Sequence, residues 1–188
     1  MPHLLLIDGL RTLAIHNQRI NDRLLNLSIE LSEVDLLADR GAFFGSIFNH
    51  WNHLMFGDLM LLRRIRDGSP GSDVLDELAT FPTPKTPRDV YYHDMVTLAH
   101  NRRRLDSLLV KWAMSVPGPT LGQKLRYTST EGDPIVIARG KLALHLFMHQ
   151  LHHRGQLTTL LSQLGIDYGS TDMPLIVPEA LDSLCWSR

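Results

Sequence analysis

At 188 residues, with 44% hydrophobic and 21% charged side chains, the chain has the balance of a folded globular protein and not of a disordered one. Its formal net charge of −1 gives no electrostatic signal for a nucleic-acid or acidic-membrane partner. A single cysteine, Cys185, excludes a disulfide framework and a cysteine-rich metal site. The N-terminus reads MPHLLLIDGLRTL, without a basic leader or cleavage pattern, and no stretch has the apolar length of a membrane span. The expectation is one cytoplasmic domain over residues 1–188, with the short basic runs 63–66 and 102–104 as solvated helix faces.

The first predicted helix covers about 7–27, where Leu10, Leu13, Ile20, Leu24 and Leu27 recur at helical spacing. Asn17 and Asn21 interrupt that stripe. Either the stripe edge is polar there, or the helix faces a polar cavity at that height. A connector with a short helical turn near 34–37 follows, punctuated by Gly41 and Gly45. The second helix is expected over 46–65. Residues 67–87 hold four prolines and read as a surface crossover, with a turn or two of helix at 73–78. Pro87 suits the first turn of a third helix running to about 115. After Pro117–Pro119, alternation around Glu131-Gly132-Asp133 predicts a small hairpin. The last helix, about 138–164, stops at Gly165, a natural residue to end it. Four long helices with short or irregular links predict an all-α, antiparallel four-helix bundle.

The last helix carries HLFMHQLHHRGQ (145–156), which holds four of the ten histidines. His145, His149 and His153 form a ladder at i, i+4 spacing and Gln156 extends it, so neighbouring rings share one face. Such pairs can aim two ring nitrogens at one cation, as in helical zinc sites. Leu142, Leu146, Leu157 and Leu160 border the ladder, and an unpartnered ring on that side is costly. A third ligand must come from another element, and FNHWNHLMFGD offers His50 or His53, with Gly57 leaving room for a neighbour. Asp58 stands about 140° around the helix from His53, a poor direct partner for it and better placed to orient another group. His100 on the third helix reads as a surface or rim histidine, with contact to the site as the alternative. Three histidines from two helices with a fourth position open are the pattern of a catalytic metal site. A ferritin-like di-metal centre is excluded, since no glutamate stands three residues before a histidine and the last helix has no acidic residue. Cys185, in a tail beside Trp186, has no base near it in sequence.

On three stretches, 39–62, 145–173 and more loosely 13–25, the chain resembles the DinB/YfiT superfamily of metal-binding four-helix bundles. Its helix-two motif, Asn-His followed five residues later by Asp, falls on Asn52, His53 and Asp58, and its helix-four pair falls on His149 and His153. The resemblance therefore implies His53, and not His50, as third ligand, with His145 and His152 as neighbours. Asn17 matches an asparagine of the family's first helix. Met60 departs from a tryptophan found in relatives.

Some branches of that superfamily use the same site for thiol chemistry, as in mycothiol-dependent maleylpyruvate isomerases and bacillithiol S-transferases. The resemblance implies a divalent ion (zinc or nickel, with iron as a further choice) and a low-molecular-weight thiol transferred to a small electrophile. It also implies a homodimer, for which the apolar segment MPLIVPEALDSLCW is available as cover. Asn17, Asn49, Asp58, Arg154 and Gln156 are expected to line the pocket or support the ligands. The alternatives are a non-catalytic stress protein stabilised by its ion, and a plain bundle that binds none. With ordinary histidines titrating near pH ~6.5, metal affinity is expected to fall below about pH 6.

Overall fold

The computed structural model describes residues 2–68 and 73–178. Its long helices are α1 (Pro2–Ile29), α3 (Ile47–Asp67), α4 (Met95–Ser115) and α5 (Arg139–Gln163), with short helices α2 (Glu33–Leu37) and α6 (Met173–Ile176). Strands β1 (Lys124–Thr128) and β2 (Pro134–Ala138) pair antiparallel, Lys124 opposite Ala138 and Thr128 opposite Pro134. The protein is thus mostly helical with one small hairpin, as the periodicities predict. Cys185, Trp186 and the end of the apolar tail lie outside the described residues, as do four residues of the crossover. Among the described residues, no helix is long and apolar enough to cross a membrane.

Helix starts follow local hydrogen-bond chemistry. Ser32 accepts from the Asp35 N–H to cap α2, and Ser46 accepts from the Asn49 N–H at 3.2 Å to cap α3. Gly165 ends α5 at φ +74°, a conformation that a Cβ disfavours. The third helix departs from expectation. It begins at Met95, capped by Asp94, and not at Pro87. In a helix starting there, the Pro87 carbonyl and the Tyr91 N–H would bond each other. Instead both turn to α3: His53 Nδ1 lies 2.9 Å from the Pro87 oxygen, and Tyr91 N–H donates to Asn52 at 2.9 Å. Two consecutive residues of α3 thereby hold this segment extended.

The apolar core falls into two clusters. One gathers Leu10, Leu59, Leu62, Leu105, Trp112 and Leu146, and the other Leu24, Trp51, Leu98, Leu157 and Leu161, among others. Helices α1 and α5 run from the first cluster to the second, and α3 and α4 run back. Their main packing partners are α1 with α4 and α3 with α5. Because α3 and α4 point the same way, the chain must return along a helix length between them, which accounts for the long proline-rich crossover. A 3-10 turn at Asp73–Thr80 stiffens it, burying Leu75 and Leu78, while Arg63 donates to the carbonyls of Leu78, Phe81 and Pro82.

Between the two clusters each long helix contributes polar side chains, and these meet in a buried layer. Asp106 accepts from Asn17 and Asn21, both at 3.0 Å, and from Arg102 at 2.8 Å. Arg102 also donates to Asp58 at 2.6 Å, and Gln150 donates to the same carboxylate oxygen. Arg154 donates to Asn17 and Asn21. Two carboxylates and two guanidinium groups balance in charge, which is the condition for keeping ions out of water. The run 102–104 is therefore not uniformly solvated, since Arg102 is fully buried. Asn17 and Asn21 fill a polar layer and do not face an open cavity.

Candidate metal centre

His53 of α3 and His149 and His153 of α5 converge just beside this layer. His53 Nε2 lies 3.2 Å from His149 Nε2 and 3.0 Å from His153 Nε2. One nitrogen from each of the three rings fits within 4.8 Å of the others, so the group could hold a metal ion. Tetrahedral zinc at 2.0–2.1 Å from each nitrogen separates its ligands by roughly 3.3 Å.

The protons on these rings carry the fit further. A carbonyl oxygen only accepts, so the 2.9 Å contact with Pro87 puts the proton of His53 on Nδ1. His153 Nδ1 lies 3.0 Å from the Gln156 side-chain amide, which also stands 3.2 Å from His50 Nε2. Burial pushes the pKa of all three rings down to about 4, chiefly by desolvation, so they are neutral near pH 7. The bare Nε2 of His53 thus faces the Nε2 atoms of His153 and His149 across 3.0 and 3.2 Å. A cation at that point is served by all three rings when their protons sit on the outer nitrogens. The donor set fits a metal of the imidazole-binding class.

Neighbouring groups fix the rings. Phe44 stacks on His53 with centroids 3.8 Å apart and meets His50 and His153 edge-on. Fully buried His50 donates Nδ1–H to the Ser46 carbonyl at 2.8 Å, and its Nε2 lies 3.2 Å from the Gln156 oxygen. His50 therefore stands behind Gln156 and outside the triad. Gly57 lies directly against His149: a Cβ there would come within 2.2 Å of the ring Cε1. By helix propensity alone, Gly57→Ala should stabilise α3 by about 1 kcal/mol. The clash predicts instead a displaced His149 and at least a tenfold weaker zinc affinity, measurable by competition with a chelating dye. Unchanged affinity with a raised Tm would show that the ring is free to move aside.

The remaining expected residues are distributed as follows. Gln156 touches the triad directly. Asp58, Asn17 and Arg154 belong to the buried layer, and Arg154 reaches Asn17, Asn21 and Gln150 and not solvent. Asn49 is exposed, donates to the Phe44 carbonyl, and lines a cavity of about 220 Å³ with Phe44, Asn52, Arg88, Asp89 and Val90. None of the three histidines lines that cavity. His145, His152 and His100 are exposed, and His100 takes no part in the site. Sequence reasoning missed Phe44, Pro87, Arg102, Asp106 and Gln150. Only Arg102 and Asp106 left a signal, an opposite-charge pair one turn apart between Leu98, Leu105 and Leu109.

Fold and site together define a mostly helical protein with a three-histidine centre suited to a metal ion. The chain belongs to the DinB family, whose model matches residues 1–180. No curated protein matches it.

Proposed function

We propose that the chain is a metal-dependent enzyme with His53, His149 and His153 as ligands of one divalent ion, zinc or nickel first and iron next. The proposed form is a single domain over 1–188 folded as an antiparallel four-helix bundle, acting as a thiol S-transferase. The observation that carries the reading is the convergence of three ring nitrogens, with His53 Nε2 3.0 Å from His153 Nε2 and 3.2 Å from His149 Nε2. Bound at that centre, a divalent ion would lower the pKa of a thiol that it binds. The Pro87 carbonyl keeps the ligating nitrogen of His53 free of its proton, and Gln156 meets His153 from behind. Asn17, Asp58 and Arg154 support the centre through the buried layer, and Asn49 borders the nearby cavity. The electrophile is a small molecule, received where Phe44 and the 87–92 segment approach the triad.

The second reading, an ion that only stabilises the fold, is favoured by the stack of Phe44 on His53, which covers part of the centre. To separate the two, consumption of 2-mercaptoethanol by 1-chloro-2,4-dinitrobenzene is followed with and without added zinc. A zinc-dependent rate lost in His153→Gln supports the enzyme, while equal rates with bound zinc leave the stabilising ion.

Met148 and Leu151 are exposed on α5 and offer an apolar face for a homodimer. The described part of the C-terminal segment covers its own chain instead, with Val177 buried and Arg19 donating to the Ile176 carbonyl. Light scattering on the full chain at micromolar concentration should give twice the chain mass of 21.3 kDa. A monomer mass throughout rejects the dimer.

A further inference from the structure

Of the three rings in the triad, His149 alone has no acceptor for its outer nitrogen. The Nδ1 atoms of His53 and His153 each face an oxygen, whereas His149 Nδ1 is buried without a hydrogen-bond partner. In the same region Asp58 has one oxygen held by Arg102 and Gln150, while the other, Oδ1, is buried and also without a partner. Each is an unsatisfied buried polar atom, and such atoms are rare in folded proteins. The two groups come from adjoining positions of packed helices, though neither atom bonds the other as they stand. The backbone of Gly57, adjacent to Asp58, presses on the His149 ring, and Gln150, adjacent to His149, donates to Asp58.

His149 Nε2 lies 3.2 Å from the bare Nε2 of His53, a contact that is a hydrogen bond when His149 carries its proton on Nε2. That arrangement leaves Nδ1 as an unused lone pair, consistent with its lack of a partner. It also blocks coordination, because the ligating nitrogen is protonated. For all three Nε2 atoms to serve one ion, the His149 proton must move to Nδ1, and there it needs an acceptor.

We propose that Asp58 is the positioning residue for His149, its free Oδ1 accepting the Nδ1–H that appears when the ring switches tautomer to take a metal ion. The step balances internally: a proton leaves Nε2 and one arrives at Nδ1, with solvent as carrier and no net charge change on the ring. Asp58 is itself clamped by Arg102, which also holds Asp106, so the switch ties the triad to the polar layer spanning all four long helices. Carboxylate support of a ligating histidine is a general device for fixing tautomer and orientation. This inference rests on the metal-site reading and adds an order of events to it.

Histidine ¹⁵N spectra of the full chain, recorded with and without zinc, distinguish the tautomers directly. The expected result is an Nε2–H tautomer for His149 without zinc and Nδ1–H with it, while His53 and His153 are Nδ1–H in both. Asp58→Asn should weaken zinc binding about 10- to 100-fold, because the amide can offer His149 an N–H in place of an acceptor and favour the Nε2–H tautomer. Unaltered tautomers of His53 and His153 in that variant would exclude a merely structural loss. If the variant does not fold, the wild-type spectra alone decide. Zinc that shifts all three rings but leaves the His149 tautomer unchanged overturns the role of Asp58. Zinc that shifts none of the rings overturns the metal reading as well.

Discussion

Arg102→Ala is expected to destabilise the protein by about 3–5 kcal/mol, the usual effect of breaking a buried ion pair by removing one partner. Arg102 lies between two carboxylates, 2.6 Å from Asp58 and 2.8 Å from Asp106. Burial already pushes the pKa of Asp106 up to about 6 against the pull of Arg102. Without the guanidinium, Asp58 and Asp106 share the layer with Arg154 alone, and Arg154 donates to Asn17, Asn21 and Gln150, with no bond to either carboxylate. A typical domain has about 5–15 kcal/mol of stability, so this loss leaves a marginal fold. Urea denaturation measures it. A loss within about 0.5 kcal/mol, the range of ordinary surface substitutions, would show that the layer admits water.

The double variant His149→Gln, His153→Gln should lose the whole rise in Tm that added zinc gives the wild type at pH 7.5. An ion bound only by the folded chain stabilises it by mass action, by about 2.7 kcal/mol at a hundredfold excess over Kd. Acid should weaken this effect later than ordinary histidines imply. The unfolded rings take protons near pH ~6.5, whereas in the folded protein burial holds all three at about 4. Proton competition for the folded triad therefore sets in toward pH 4 and not below 6. The same difference acts on the metal-free fold. The unfolded state binds more protons between those values, so the stability from neutral rings is complete above pH 6.5 and lost as pH falls to 4. Burial of Asp106 acts in the opposite direction over part of this range, so the comparison is with the double variant, whose pH slope should be shallower than that of the wild type. Equal slopes would mean that these rings titrate normally.

Much of this arrangement was legible in the sequence because it depends on period and punctuation. The spacing of His149, His153 and Gln156, the serines before α2 and α3, and Gly165 after α5 each act within a turn or two of chain. Gly57 could be read as a clearance, though only the structure supplies the ring that occupies it. What stayed hidden depends on long-range partners. Pro87 looked like a helix start because nothing local shows that its carbonyl is taken by His53, 34 residues away. Arg102 looked solvated because Arg103 and Arg104 follow it. Its burial depends on Asp58, 44 residues away on another helix. Asn17 and Asn21 left two readings open, and their partner lies far along the chain: both are fully buried and donate to the carboxylate of Asp106.

Metal content of the untagged full chain, purified without nickel resin, is the most direct measurement. With three ligands and one open position, the expectation is about one divalent ion per chain. His53→Ala should remove it, while His50→Ala should retain most of it and weaken binding by no more than the roughly 10- to 100-fold typical of a supporting residue. A wild-type chain that carries no ion and takes up none from micromolar zinc at pH 7.5 would contradict the three-histidine centre.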